Sequence, residues 1–112
     1  MIVFCRAASG ECPVEGSLDG LSSAAARKVT WVLRLVEEER LVPARYLKKL
    51  VGTDGIWECR ADHGSDTYRI LRFMASGNRL VPTHGFAKKS QRIPAGEIRR
   101  AEAYRADFLS RR

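Results

Sequence analysis

The 112-residue sequence has little of the material from which metal and disulfide sites are built: two histidines and three cysteines. Cys5, Cys12 and Cys59 are odd in number and form no Cys-x-x-Cys pair, which argues against a disulfide framework and a thiolate zinc site. They read as reduced thiols. His63 and His84 lie far apart in the chain, with no His-x-x-x-His or carboxylate spacing around them, so no metal is expected. Neither Gly-x-Ser-x-Gly nor a P-loop occurs. No apolar run approaches the roughly 20 residues of a membrane helix. The N-terminal Met1-Ile-Val-Phe-Cys-Arg6 has no basic region ahead of a long apolar stretch, which speaks against a signal peptide. The expectation is a cytoplasmic protein with no membrane partner and no cofactor.

What the sequence has in excess is positive charge: 20 Lys+Arg against 13 Asp+Glu, a formal +7. A balance of this sign favours a polyanionic partner without establishing one. The length suits a single domain spanning 1–112. Ile2 to Ala7 reads as a first strand. Pro13 to Gly20 reads as a short helix with Pro13 at its first position, Val14 and Leu18 turned inward and Gly20 as the stop. Ser22 or Ser23 then caps a second helix. Its apolar positions Ala25, Val29, Val32, Leu33 and Val36 follow the 3.6-residue period, and it should run to about Arg40 because Pro43 stops anything longer. A connector follows through Lys48 to Gly52.

Gly55 to Ala61, Thr67 to Met74 and Asn78 to Phe86 are strand-like runs joined by short turns, hence antiparallel neighbours. Alternation puts Ile56, Glu58 and Arg60 on one side of the first run and Trp57, Cys59 and Ala61 on the other. In the second run Tyr68, Ile70 and Arg72 oppose Arg69, Leu71 and Phe73. Pro82 lacks a backbone donor and marks the third run as an edge strand or one with a bulge. Pro94 to about Leu109 reads as a helix with Ile98, Ala101, Tyr104, Phe108 and Leu109 as its inner stripe. With Pro94 at its first position the cap falls on Ile93, a weak start. The sum is an α+β domain.

The cations on and after these strands are Arg60, Arg69, Arg72, Arg79, His84, Lys88, Lys89 and Arg92. Several can converge on one strand face, and convergent guanidinium groups suit the negative charge that gathers on a phosphodiester under attack by the neighbouring 2′-oxygen. His84, Glu58 or a lysine would then move protons. Each residue also has a plainer reading. Glu58 serves as the ion-pair partner of a neighbouring cation, His84 as a hydrogen-bonded structural residue, and Lys88-Lys89 as solvated loop charge. Tyr68 and Phe86 are core residues unless exposed beside the basic face, where they would stack on a base. The residues alone leave open a nucleic-acid surface, an inert basic domain and a nuclease.

The ordered set Gly55-Ile-Trp-Glu-Cys-Arg60, Tyr68-Arg-Ile-Leu-Arg-Phe73 and His84-Gly-Phe-Ala-Lys-Lys-Ser-Gln-Arg-Ile-Pro94, followed by Glu97-Ile98 and Ala101, resembles the RelE/ParE toxin superfamily. The likeness is to its phage-derived HigB-like branch, and Cys12-Pro-Val-Glu-Gly-Ser-Leu-Asp-Gly20 resembles that branch's opening helix. The resemblance implies a RelE-like antiparallel sheet with two N-terminal helices and one C-terminal helix. It implies the toxin of a type II toxin-antitoxin pair that cleaves messenger RNA on the ribosome by metal-free 2′-oxygen attack, and a HigA-like helix-turn-helix antitoxin as partner in a higher-order assembly. It assigns Arg69 to the transition state, Arg60 to the scissile phosphate, and His84 to acid or base work. Lys88, Lys89, Phe86, Tyr68 and Arg92 become RNA contacts. A ParE-like gyrase inhibitor, or a domain that only binds RNA or antitoxin, is the alternative on the same fold. The chain departs from the branch at Ile93, where threonine is usual, and at the small Gly16 and Ser17, which predict softer helix starts.

Overall fold

A proline at the first helical position starts the N-terminal half. Its missing N–H is one that has no partner within a helix anyway. Helix α1 (Pro13–Asp19) follows Cys12 as cap and ends at Gly20. The computed structural model describes residues 2, 12–39, 41–53, 55–77, 79–88 and 93–111. Helix α2 (Ser23–Glu38) is capped by Ser22, whose Oγ accepts from the Ala25 N–H at 3.2 Å. Such a cap contributes about 1 kcal/mol. The stripe Ala25, Val29, Val32, Leu33 and Val36 is buried, as its period requires. The helix stops short of Arg40 because Glu39 turns extended, with ψ 138°.

Four strands form one antiparallel sheet in the order β1 (Leu47–Lys49), β2 (Trp57–His63), β3 (Asp66–Ala75), β4 (Arg79–Lys88). Strand β1 lies within the stretch read as a connector. One leucine and two lysines carry no alternation, and only pairing with Trp57, Glu58 and Cys59 makes them a strand. Of the strand expected at Ile2 to Ala7, Ile2 makes a parallel bridge with Leu80, and the rest lies outside the described residues. Hairpin β2–β3 closes at the pair His63 and Asp66, with Gly64 supplying φ 62°. Pro82 sits on β4 beside a bulge: Leu71 faces His84 and Arg72 faces Pro82, so Thr83 is the extra residue. Its hydroxyl donates to the Leu71 carbonyl at 3.1 Å.

Helix α3 (Ala95–Ser110) starts one residue later than expected, with Pro94 itself as the cap. Pro94 is extended at ψ 140°, and its carbonyl accepts from the Glu97 and Ile98 N–H groups at 3.0 and 3.4 Å. No side chain caps this end.

The sheet separates two cores. Helices α1 and α2 cover one face, where Val14, Val29, Val32, Leu33, Cys59, Ala61, Ile70 and Leu80 are buried together. Helix α3 covers the other, over Ile56, Leu71, Phe73, Val81 and Ala101, with Phe108 edge-on to Phe73 at 5.6 Å. Ser17, expected to weaken α1, instead fastens it. Its Oγ donates to the Gly85 carbonyl at 2.9 Å and accepts from the Gly85 N–H at 3.0 Å, satisfying two backbone groups of an edge strand. The approach needs glycine, because a β-carbon at Gly85 would lie 2.4 Å from Ile70 Cδ1.

Candidate active site

Register turns the strand alternation into rows. On the α3 face, Arg60 pairs directly with Arg69, which pairs with Phe86: a cation–cation–aromatic row across β2, β3 and β4. The next row toward the core is Glu58, Leu71 and His84. On the other side, Asp62 accepts a hydrogen bond from Thr67 at 2.7 Å, and Lys88 occupies the register position opposite Thr67.

Two arginines placed directly opposite each other repel, a destabilising arrangement that needs compensation. Glu58 supplies it. Its Oε2 lies 2.9 Å from Arg69 Nη1 and 3.8 Å from Arg60 Nε. Glu58 is thus the ion-pair partner its plainer reading gave. The three groups leave one net positive charge in a low-dielectric layer. Arg69 is only 2% exposed and held, whereas Arg60 is partly open and its Nε has no hydrogen-bond partner among the described residues.

His84 is 1% exposed, beneath α3. Its Nδ1 is 3.1 Å from Thr83 Oγ1. That hydroxyl donates to the Leu71 carbonyl, so toward the ring it can only accept, from Nδ1–H. Nε2 stands 3.4 Å from Glu97 Oε1 in the first turn of α3. Burial lowers the His84 pKa below 6.5, Arg100 lowers it further, and Glu97 works the other way. The ring also lies 5.8 Å from those of Phe86 and Tyr104. The result is a buried imidazole whose Nε2 faces a carboxylate, a contact that is a hydrogen bond only when Nε2 carries a proton.

The structure therefore brings together four of the residues singled out from sequence: Arg60, Arg69, His84 and Phe86. It does not bring Tyr68 to them. Tyr68 is on the opposite face, packed against the α1–α2 core, because it follows the parity of Ile70 and not that of Arg69. Lys89 and Arg92 lie outside the described residues. The sequence pattern gave no role to Thr83, placed Tyr104 only in the inner stripe of the last helix, and held Glu97 only within a motif. The available signal for Glu97 was an acid in the first turn of a helix with no side-chain cap.

Among the described residues no three His, Cys, Asp or Glu side chains group as metal ligands, and no helix is long and apolar enough to cross a membrane. No curated protein matches the chain. Residues 17–105 match the family described as Phage derived protein Gp49-like (DUF891). That span contains helix α2, all four strands, most of helix α3 and every residue of the Arg60–Arg69–Phe86 row. The chain belongs to the phage-derived Gp49-like family, a toxin-like family of the RelE kind.

Proposed function

We propose that the protein is a ribosome-dependent endoribonuclease of the HigB-like branch, the toxin of a type II pair neutralised by a helix-turn-helix antitoxin. The observation that carries this reading is the directly opposed Arg60 and Arg69 sharing one carboxylate beside Phe86. A fold gains nothing from two opposed guanidinium groups, whereas a phosphodiester does.

The reaction uses side chains alone. The 2′-oxygen of one nucleotide attacks the adjacent phosphorus, the P–O5′ bond breaks, and the products are a 2′,3′-cyclic phosphate and a 5′-hydroxyl. Arg60, at the open end of the row, binds a non-bridging phosphate oxygen. Arg69, fixed by Glu58, adds a second charge behind it as the pentacoordinate state gathers negative charge. Phe86 supplies a face for a base. Glu97 takes the 2′-hydroxyl proton at the surface, with His84 Nε2 behind it as the second basic site. Lys88 or Lys89 returns a proton to O5′.

Messenger 5′ ends mapped in a translation extract, with and without ribosomes, test the reading. New codon-phased ends that require ribosomes are expected. Growth arrest with intact messenger and an induced DNA-damage response would overturn it in favour of gyrase inhibition.

A further inference from the structure

On the opposite face of the sheet, α2 ends at Glu38, and no described helix covers the end formed by the start of β2, the close of β3 and the start of β4. A cavity of about 570 Å³ opens there, walled by Trp57, Met74 and Leu80 and overhung by Leu41. That volume is in the range of small-ligand sites. Met74 is 46% exposed and Leu41 almost fully so, large apolar side chains with nothing over them among the described residues.

The floor of this cavity holds Arg72, 7% exposed. Its guanidinium lies over the Trp57 ring at 5.0 Å. Unlike Arg69, it has no ion-pair partner among the described residues; its buried Nε makes no hydrogen bond, and the polar partner its guanidinium has is the Cys59 sulfur, a weak acceptor. The neighbouring sulfur does not neutralise it: burial pushes the Cys59 thiol up to about 12, so Cys59 is uncharged. A buried arginine needs a counter-charge or a polar partner. Its planar fork fits a carboxylate through two parallel hydrogen bonds. Glu37 and Glu39 also line the cavity; they work against any anion placed near them, most of all a dianion, and favour a neutral or cationic tail on that side.

We propose that this cavity is a binding site for a carboxylate carried on an apolar body, with Arg72 taking the carboxylate and Trp57, Met74 and Leu80 the apolar part. The site lies on the other side of the sheet from Arg60 and Arg69 and does not depend on the reaction proposed above. The carboxylate has two sources of the same chemistry: a free aromatic or aliphatic acid, or an acidic side chain between apolar residues of a partner protein.

The chain has two tryptophans, so a Trp31→Phe background leaves Trp57 as the only indole reporter in the full-length protein. Titration with 4-phenylbutyrate is expected to change Trp57 emission saturably. The isosteric probes 4-phenylbutanol and 4-phenylbutylamine should bind at least about tenfold more weakly, since neither offers the charge-assisted pair. Arg72→Met, checked for cooperative unfolding, should lose the preference for the acid, and Arg72→Lys should recover part of it. The blocked peptide acetyl-Leu-Glu-Phe-amide separates the sources. Tighter binding than 4-phenylbutyrate assigns the site to a protein partner, and weaker binding assigns it to a small acid; either supports the site. Equal affinity for acid and alcohol would overturn the proposal, and because that comparison uses unmutated Arg72 it does not rest on a variant folding. So would the absence of saturable binding up to about 10 mM.

Discussion

Arg69 and Arg72 are three residues apart on one strand, both more than nine-tenths buried, and on opposite faces. Arg69 sits in a row of charge: Glu58 at 2.9 Å, Arg60 directly across, and the His84–Glu97 pair in the next row. Arg72 sits on an aromatic ring beside a neutral thiol, at a cavity. The comparison teaches that burial alone says little about a cation's role. A buried arginine locked to a carboxylate is held in place by the protein's own charges. One without a counter-charge among the described residues is available to a carboxylate from outside.

The most severe way to break this comparison is to delete each charge. Arg69→Met leaves Glu58 buried with only the distant Arg60 Nε, and should cost about 3–5 kcal/mol. Arg72→Met should fall within about 1 kcal/mol of wild type, since the lost cation–π contact is offset by the desolvation no longer required. Urea unfolding of both variants reads the difference. Equal costs would mean that the two arginines play one structural role.

A smaller effect is expected where α1 meets β4 on the Arg72 side. Gly85→Ala forces Ile70 aside in a packed core and should cost about 1–3 kcal/mol. Thermal melts should show it as a downward shift in Tm, with antiparallel pairing retained.

The gentlest test uses pH on the Arg69 side. His84 has a folded pKa below its unfolded 6.5. Below 6.5 the unfolded chain takes up a proton that the folded protein resists, so this group's contribution is full above 6.5 and is lost as pH falls through the folded value. His84→Gln should flatten the stability-against-pH curve in that window. An unchanged slope would show that His84 is not held neutral.

Much of this could be seen in the sequence because local rules and tertiary packing agree. Pro13, Ser22 and the valine stripe of α2 set two helices, and Pro82 marked both the edge and the bulge. Strand parity put Glu58 with Arg60 and Arg69 with Leu71. What parity does not contain is register, and only register joins Arg60 to Arg69 and carries Tyr68 away from them. Leu47–Lys49 was not legible because three residues have no period of their own. Pro94 was shifted by one position because a helix cap is defined by ψ, which proline leaves free. The Arg72 cavity was invisible for a different reason: it exists where α2 stops, and the stop comes from the backbone at Glu39 before Pro43 is reached.

The central claim is that the Arg60–Arg69 row meets the scissile phosphate. It is tested most directly by the single-turnover rate at which Arg60→Ala cleaves a ribosome-bound messenger, with Trp31→Phe as the control. Arg60 is partly exposed, and its removal relieves an opposed like charge, so the variant should fold. The predicted result is a rate lower by roughly 100-fold, with ribosome binding largely kept and the control unaffected. A rate within about twofold of wild type would contradict the account.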